Sequence, residues 1–255
     1  MFIDTHCHLY DEKLIENIDQ IIDEAKKANV GKIIIAGCDV ESSLKCLEIA
    51  KKYEEVYACV GFYPQYALDY DDKKEALIRE MAKEEKVVGI GEIGLDYSYD
   101  VPRDVQKNVL LRQIKLASEL SLPIVLHGRD TYGDLVEMLK ANKNLLNGGG
   151  TFHCYTGSAE LAREIIKLGL YISVGGVSTF QNAVKVKQMV EKVDLKNIIL
   201  ETDSPYLAPT PMRGKVNQPA YIPLIARNLA DIKGVSLDVV EEQTTKNAKG
   251  LFKLW

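Results

Sequence analysis

Residues 2–9 read FIDTHCHL, a short apolar run that ends in two histidines, His6 and His8. The other two histidines of the chain also close strand-like runs, His127 in LPIVLH and His153 in GTFHC. Polar groups at the ends of several apolar strands are typical of a parallel sheet that carries a site at its carboxyl edge. This recurrence predicts both the class of fold and the kind of site.

Apolar runs of strand length alternate with amphipathic helical patterns along the chain. Eight strands are predicted, at Phe2–His8, Lys32–Ala36, Val56–Gly61, Val87–Glu92, Ile124–His127, Thr151–His153, Tyr171–Val174 and Ile198–Asp203. Helices are predicted between them, and two follow the last strand, at Ile222–Ile232 and Leu237–Phe252. Mostly continuous apolar strands that alternate with helices predict an α/β fold with a parallel sheet.

Eight strand–helix units in about 250 residues predict a single (β/α)8 TIM barrel, with one extra C-terminal helix. A doubly wound open sheet is the main alternative. No GxGxxG turn follows the first strand, and the candidate ligands end several strands, so the barrel is favoured. No linker or repeat divides the sequence, and residues 1–255 are predicted to form one domain.

Composition narrows the class of protein. The formal charge of −5 gives no general attraction to nucleic acid, so such a substrate would depend on local cations and bound metal. No uncharged apolar run is long enough to span a membrane, and the N-terminus does not resemble a signal peptide. Five cysteines without a CxxC pair favour the reducing cytoplasm. No obligate protein partner is indicated.

The two histidines of the first strand are one residue apart. Side chains alternate faces along a strand, so His6 and His8 point the same way, as does Asp4. Two imidazoles on one face can chelate a single divalent cation, and Asp4 is predicted to orient one of the rings. The alternative is a pair of histidines in the core or on the surface.

Two acidic residues also end strands. Glu92 closes the almost wholly apolar run VVGIGE, where an unpaired carboxylate would be costly, so it must be protonated, ion-paired or metal-bound. A structural salt bridge to an arginine is the alternative. Asp203 closes NIILETD, and with two histidines it could hold one cation while Glu92 bridges to a second one, held by His127 and His153. The expected cofactors are two divalent cations, with Mg²⁺, Mn²⁺ and Zn²⁺ as candidates.

Several side chains just beyond strand ends are candidates for substrate binding. Arg213, in the loop SPYLAPTPMRGKVNQP (204–219), and Arg129 could hold a phosphate, because the guanidinium plane suits phosphate oxygens. Tyr63 and Tyr155 could line a cleft and stack on unpaired bases. The alternatives are solvated loop cations and tyrosines that pack at the mouth of the barrel.

DTHCHL, GEIGLDY, HCYTGS and ETDSPYLAP followed by RGKVNQP resemble the signature segments of the TatD family of metal-dependent deoxyribonucleases. The order and spacing of these motifs agree from Asp4 to about Pro219. The resemblance implies an amidohydrolase-type barrel with divalent metals at the carboxyl ends of the strands. It implies that one metal is bound by His6, His8, Glu92 and Asp203, and the other by Glu92, His127 and His153.

Some positions depart from the pattern of the family. Tyr63 and Gln65 stand where relatives often carry histidines, and Val216 and Gln218 stand where arginine and glutamate are common. Tyr155 replaces the usual phenylalanine. These changes leave the implied metal ligands intact and alter positions that could contact substrate.

The family resemblance implies hydrolysis of DNA phosphodiester bonds by metal-activated water, with 3′-to-5′ exonuclease action on single-stranded DNA. Asp203 is the expected general base, and Glu92 is the second expected catalytic residue. One alternative is a metal-dependent ester hydrolase, such as a D-aminoacyl-tRNA deacylase. Another is a non-catalytic metal-bound scaffold, although such a protein has no reason to keep a full ligand set.

Overall fold

A computed structural model of the chain describes residues 1–254. It contains eight β-strands, in the order β1-β2-β3-β4-β5-β6-β7-β8 within the sheet. The strands are β1 (Phe2–Cys7), β2 (Val30–Ala36), β3 (Val56–Val60), β4 (Val87–Asp96), β5 (Ile124–Arg129), β6 (Gly150–Phe152), β7 (Leu170–Val174) and β8 (Ile198–Leu200).

Helices follow the strands, and several short 3-10 turns join them. The α-helices are α1 (Glu12–Ile15), α2 (Ile18–Lys27), α3 (Val40–Lys52), α4 (Asp72–Met81), α5 (Arg103–Leu120), α6 (Tyr132–Ala141), α7 (Ala159–Lys167), α8 (Val184–Lys192), α9 (Ile222–Lys233) and α10 (Leu237–Phe252). Sequential strand order with a helix after each strand is the (β/α)8 arrangement. The predicted TIM-barrel fold is therefore confirmed. Helix α10 is the predicted extra C-terminal helix, since α9 already completes the eighth unit.

The chain forms two compact units. The first comprises Met1–Ile35, Cys154–Ile166 and the described residues from Tyr171 onward, and the second comprises Ala36–His153 and Lys167–Leu170. The prediction of one domain over residues 1–255 stays a prediction.

In the first unit, β1 pairs with β2 and β7 pairs with β8, both in parallel. The ends of β1 and β8 also adjoin, because the main-chain N–H of Asp203 donates to the His6 carbonyl at 2.9 Å. The N–H of His8 likewise donates to the Ser204 carbonyl at 2.7 Å. The last strand therefore lies beside the first, as the fold requires, and the two carry their polar residues to one edge.

The second unit contains parallel pairs of β3 with β4, β4 with β5 and β5 with β6. All ten residues of β4 are buried, which explains its almost continuous apolar and glycine sequence. In register, Gly94 of β4 lies opposite His127 of β5. His153 directly follows β6, and its N–H donates to the Leu126 carbonyl at 2.9 Å, so it is held at the same edge of the sheet.

Several predicted boundaries differ from the structure. Strand β4 continues to Asp96, so Glu92 lies within the strand and does not close it. The helical pattern at Leu14–Ala28 is divided at Asn17, whose backbone is not helical (φ −115°, ψ 21°), as suits a residue of low helix propensity. Strand β8 ends at Leu200 instead of Asp203. Asp203 therefore lies in a loop, and its side-chain direction does not follow from strand alternation.

None of the helices in residues 1–254 combines the length and the apolar character that a membrane span needs.

Candidate functional site

The first unit contains a histidine–aspartate cluster formed by His6, His8 and Asp203. Both imidazoles are buried. Nε2 of His6 lies 3.3 Å from Nε2 of His8, and Oδ1 of Asp203 lies 3.4 Å from Nε2 of His8 and 3.8 Å from Nε2 of His6. The three donor atoms converge, and the imidazoles of His6, on β1, and His8, directly after it, point the same way, as the predicted alternation of side chains requires.

The donor set of this cluster fits a divalent cation. Two nitrogens that each lie about 2.1 Å from one ion are about 3.0–3.4 Å apart, which matches the separation of the two Nε2 atoms. The other nitrogen of His8, Nδ1, contacts the Tyr10 hydroxyl at 3.2 Å. A partner at Nδ1 sets the orientation of the ring and leaves Nε2 for the cluster.

The loop after β8 presents Asp203 in an unusual backbone conformation, with φ of 57°. Non-glycine residues adopt this left-handed region rarely, although aspartate and asparagine tolerate it better than most. Neighbouring hydrogen bonds hold it there, because its N–H donates to His6 and its carbonyl accepts from the N–H of Tyr206 at 2.9 Å. The Asp203 side chain is 13% exposed, so its carboxylate reaches solvent beside two buried imidazoles.

The predicted role of Asp4 needs correction. Its carboxylate accepts hydrogen bonds from the N–H of Thr202 at 2.9 Å, from the Thr202 hydroxyl at 2.5 Å and from the N–H of His6 at 3.3 Å. Asp4 therefore braces the main chain of β1 against the Asp203 loop and does not orient an imidazole. Burial raises the pKa of Asp4 to about 7, against the opposing effect of the bonds from Thr202 and His6.

Sequence reasoning missed a second brace of this loop, Asn217. The Asn217 side chain is completely buried, and its amide donates to the carbonyls of Thr202 at 2.7 Å and Tyr206 at 2.6 Å. These two carbonyls flank Asp203 in the sequence. The sequence signal for this role is an asparagine near the end of the irregular segment RGKVNQP.

We expect Asn217→Ala to lower the free energy of unfolding by roughly 1–3 kcal/mol, because it removes the amide donor from the buried carbonyl of Thr202. Urea denaturation at a fixed metal concentration measures the change. Gln218→Ala is the matched control, since it removes the neighbouring amide, which donates to the half-buried Glu24 at 2.9 Å, and the loss should cost under about 1 kcal/mol. Equal effects of the two substitutions would contradict the bracing role of Asn217.

Glu201, which precedes this loop, is also fully buried. Its Oε1 accepts from the N–H of Cys154 at 2.5 Å, and its Oε2 accepts from the Ser173 hydroxyl at 2.6 Å. Two donors of this kind satisfy the partner requirement that burial of a carboxylate imposes. The bond to Cys154 also fixes the main chain directly after His153.

The second unit contains a glutamate–histidine cluster formed by Glu92, His127 and His153. Oε1 of Glu92 lies 3.0 Å from Nδ1 of His127 and 3.7 Å from Nε2 of His153. Glu92 and His153 are buried, and the two imidazole rings are stacked with their centroids 6.0 Å apart. A carboxylate and two imidazole nitrogens that converge in this way are a second donor set that fits a divalent cation.

Glycines allow β4 to come this close to β5. A Cβ at Gly94 would lie 2.0 Å from the His127 carbonyl oxygen, and one at Gly91 would lie 2.6 Å from Cβ of Val125. Gly94 also has φ of 156°, which side chains rarely permit. The glycines of GEIGLDY therefore allow Glu92 and His127 to lie side by side.

Asp96 was also missed as a site residue. Its Oδ2 lies 3.0 Å from Nε2 of His127 and accepts from the Tyr63 hydroxyl at 3.1 Å. Burial alone would raise the pKa of Asp96, but hydrogen bonds from His127 and Ser98 outweigh burial and lower the pKa to about 2. Burial alone would lower the pKa of His127, because it disfavours the protonated ring. The hydrogen bonds to Asp96 and Glu92 outweigh burial and raise the pKa of this histidine.

The candidate substrate residues lie in different environments. Arg129 and Arg213 are exposed, and the Arg213 guanidinium stacks 4.2 Å from the centroid of the Phe180 ring. Tyr63 is partly buried, and its hydroxyl contacts Asp96 and His127. Tyr155 is 2% exposed, and its hydroxyl donates to the Ser158 carbonyl at 2.8 Å. A ring this deeply packed offers no face to a base, so Tyr155 is assigned to packing and not to substrate binding.

Comparison with known proteins identifies the family. A family model described as TatD related DNase matches residues 3–253. The chain belongs to the TatD family. The uncharacterized metal-dependent hydrolase YabD of Bacillus subtilis strain 168 is 41% identical over 255 residues, which is the whole length of both chains. YcfH of Escherichia coli K12, described in the same way, is 34% identical and covers 99% of this chain and 96% of its own.

A solved structure supports the same placement. YjjV, a TatD homologue from Escherichia coli K12, superimposes with a TM-score of 0.94 at 31% identity, covering 100% of this chain and 98% of its own. The chain is therefore a metal-dependent hydrolase of the TatD family. The two donor sets described above suit the metal dependence of its relatives.

We expect metal removal to destabilise this TatD protein. A ligand at about 100 times its Kd stabilises the folded state by about 2.7 kcal/mol, and each kcal/mol shifts Tm by roughly 2–4 °C at this size. Stripped protein should therefore melt roughly 5–10 °C lower than protein reloaded with Mn²⁺ or Zn²⁺. Calorimetry at constant ionic strength, with NaCl as the control, measures the shift. If the stripped protein and the protein reloaded with each divalent cation melt at the same temperature, the clusters have no metal role.

Proposed function

We propose that this protein is a divalent-metal-dependent deoxyribonuclease that removes nucleotides from the 3′ end of single-stranded DNA. The observation that carries the proposal is the partly exposed carboxylate of Asp203 beside the two buried imidazoles of its cluster. A carboxylate in that position can touch both a bound cation and an entering water molecule. The family match to TatD related DNase supports DNA as the substrate class.

Divalent cations, when bound, lower the pKa of water and neutralise charge on phosphate oxygens during in-line displacement. In this proposal Asp203 accepts the proton of the attacking water as general base. The buried imidazoles His6 and His8 hold one cation together with Asp203, and Glu92, His127 and His153 hold the second. The predicted bridging role of Glu92, which would join residues of the two units, stays a prediction.

Groups near the histidine–aspartate cluster support a single-stranded, phosphate-bearing substrate. The Tyr206 ring is 46% exposed and lies edge-on to His8 at a centroid distance of 6.2 Å, with Lys13 Nζ 5.5 Å from its centroid. An exposed aromatic ring with a nearby cation suits an unstacked base and its phosphate. Within residues 1–254, Arg213 is held only by its stacking on Phe180, so all its N–H donors stay available for a phosphate.

We expect Arg213→Ala to raise KM for single-stranded DNA about tenfold with little change in kcat, since a hydrogen bond to a charged group contributes about 1.5–3 kcal/mol and exposure reduces it. Steady-state kinetics at low salt measure the change. Arg227→Ala removes another exposed arginine, on α9, and should leave KM at the parent value. An equal KM for the parent and Arg213→Ala would remove this residue from substrate binding.

Digestion of end-labelled single-stranded DNA tests the proposal. Metal-stripped protein is supplied with Mg²⁺, Mn²⁺ or Zn²⁺ separately, and substrates carry a label at either end. We expect 5′-labelled DNA to shorten progressively and 3′-labelled DNA to release labelled mononucleotide at once. The reverse pattern would contradict the polarity.

Two further substrates separate the alternatives. Hydrolysis of D-aminoacyl-tRNA or simple esters without any cleavage of DNA would replace the deoxyribonuclease by an ester hydrolase. Tight metal binding without hydrolysis of any of these substrates would indicate a metal-bound scaffold. The cysteine pattern suits a cytoplasmic location, which is part of this proposal.

A further inference from the structure

The side chain of Asp96 is held by hydrogen bonds on both sides of its carboxylate. It is 1% exposed, and both of its oxygens are occupied. Oδ1 accepts from the N–H of Ser98 at 2.9 Å and from its hydroxyl at 2.6 Å. Oδ2 accepts from the Tyr63 hydroxyl at 3.1 Å and faces Nε2 of His127 at 3.0 Å. The carboxylate therefore has one oxygen fixed by the loop and the other directed at the His127 ring.

A buried glutamine fixes the main chain of Asp96 as well. The N–H of Asp96 donates to Oε1 of Gln106 at 2.9 Å, and Nε2 of Gln106 donates to the Asp96 carbonyl at 2.9 Å. Gln106 is itself 1% exposed. With the main chain and both carboxylate oxygens held, Asp96 has a single orientation relative to His127.

This orientation decides which nitrogen of His127 carries the proton. A neutral imidazole has one N–H, and a carboxylate can only accept, so the proton belongs on Nε2 beside Asp96. When a cation is bound, Nδ1 keeps its lone pair for the cation, and Nδ1 is the atom that converges with Oε1 of Glu92, 3.0 Å away. Tyr63 contributes from the other side, because its hydroxyl lies 3.0 Å from Nε2 and donates to the same carboxylate oxygen.

We propose that Asp96 and Tyr63 are positioning residues that hold His127 as the Nε2–H tautomer, with Nδ1 presented to a divalent cation in the glutamate–histidine cluster. The inference rests on the proposed function only in requiring that this cluster binds a cation. It does not depend on the substrate. Tyr63 thereby acquires a role in metal binding, where the sequence suggested a contact with substrate.

Metal affinity tests the inference directly. Competition with a chromophoric chelator gives the stoichiometry and Kd for Zn²⁺ or Mn²⁺ in the parent and in two variants, Asp96→Asn and Tyr63→Phe. An asparagine amide can donate to Nε2 and move the imidazole proton to Nδ1, so we expect about 10–100-fold weaker binding of one ion in Asp96→Asn. Tyr63→Phe removes one donor only and should weaken the same ion less than about tenfold.

The matched control is Tyr99→Phe. The Tyr99 ring meets Tyr63 edge-on at a centroid distance of 6.0 Å, but its hydroxyl does not contact Asp96 or His127. Tyr99→Phe also removes one phenol oxygen, from a ring that packs against Tyr63, and this variant should bind both ions as the parent does.

Nitrogen-15 spectra of the imidazoles show which ring nitrogen carries the proton. A purely structural role of Asp96 would leave this tautomer unchanged. In zinc-loaded parent protein we expect the proton of His127 on Nε2, and a changed tautomer or loss of zinc from this ring in Asp96→Asn. Parent-like affinity and tautomer in both variants would overturn the inference. If Asp96→Asn fails to fold, Tyr63→Phe with its Tyr99→Phe control still decides, and parent-like affinity there rejects the role of Tyr63.

Failure of the proposed function gives a different result. A parent protein that binds two ions and cleaves no DNA would reject the deoxyribonuclease and leave this inference standing. A parent that binds no divalent cation would overturn both.

Discussion

Asp203→Asn is expected to lower the rate of hydrolysis by roughly 10²–10⁴-fold, which is the usual contribution of a general base. The substitution removes the negative charge and the proton-accepting oxygen and keeps the shape of the side chain. Asparagine also tolerates the left-handed backbone of this position, where φ is 57°. The variant should therefore fold as the parent does, and backbone strain will not confuse the result.

The measurement is cleavage of labelled single-stranded DNA at matched metal occupancy, together with a thermal melt. Asp130→Asn is the control, because Asp130 is an exposed aspartate with the same φ of 57° and lies outside both clusters. It should retain the parent rate. If Asp203→Asn cleaves DNA as fast as Asp130→Asn does, Asp203 is not the base.

Glu92→Gln should weaken metal binding at the glutamate–histidine cluster and leave the metal-free protein as stable as the parent or more stable. Removal of one partner from a buried charge cluster costs about 3–5 kcal/mol, which corresponds to roughly 10²–10⁴-fold in Kd. In metal-free protein, by contrast, His127 still faces the Asp96 carboxylate when the Glu92 carboxylate is absent, so no buried charge is left uncompensated. A neutral glutamine also avoids the desolvation cost of a carboxylate.

Comparison of the metal-free and metal-bound protein therefore distinguishes a metal-ligand role of Glu92 from a structural salt bridge, which is the alternative that the sequence allows. Urea denaturation is compared for the metal-free and metal-saturated forms of parent and variant, and Kd is measured by chelator competition. Glu48→Gln, which changes an exposed carboxylate on α3, is the control and should change neither quantity. A metal-free Glu92→Gln protein that is destabilised by several kcal/mol, with unchanged metal affinity, would establish the salt bridge instead.

The fold was predictable because its signal is local and repeated. Each strand carries its own apolar run and each helix its own periodicity, as in α2, where Ile18, Ile21, Ile22 and Ala25 are the buried positions. The eight repeats then specify the TIM-barrel class without knowledge of any long-range contact. The boundary of β8 was predicted less well, because the strand was extended over the polar residues 201–203, whereas the regular strand ends with the apolar run at Leu200.

The ligand-type residues were also predictable, for a different reason. Histidine and carboxylate are costly at the end of a buried strand, so their presence there requires a partner or a cation. That cost depends only on the residue and its own segment. It therefore indicated the members of both clusters without any information on distance, and the structure brings the members of each cluster together within its unit.

The residues that support those ligands were decided by tertiary structure alone. Asp4 points at Thr202, Asn217 reaches the carbonyls on either side of Asp203, and Asp96 fixes the His127 ring from another strand. Asp4 and Thr202 are 198 positions apart in the sequence, and Asp96 and His127 are 31 apart. Asn217 lies only 15 positions after Thr202, in the loop that follows it. Composition and periodicity carry no information on which distant donor meets which acceptor.

Sequence by itself therefore determined the eight-unit α/β fold and the chemical identity of the candidate metal ligands, because burial cost and periodicity act within each segment. Only the folded chain decided the packing of Tyr155, the bracing role of Asp4 and the contact of Tyr63 with His127. Those depend on hydrogen-bond geometry, which a change of a few tenths of an ångström can make or break.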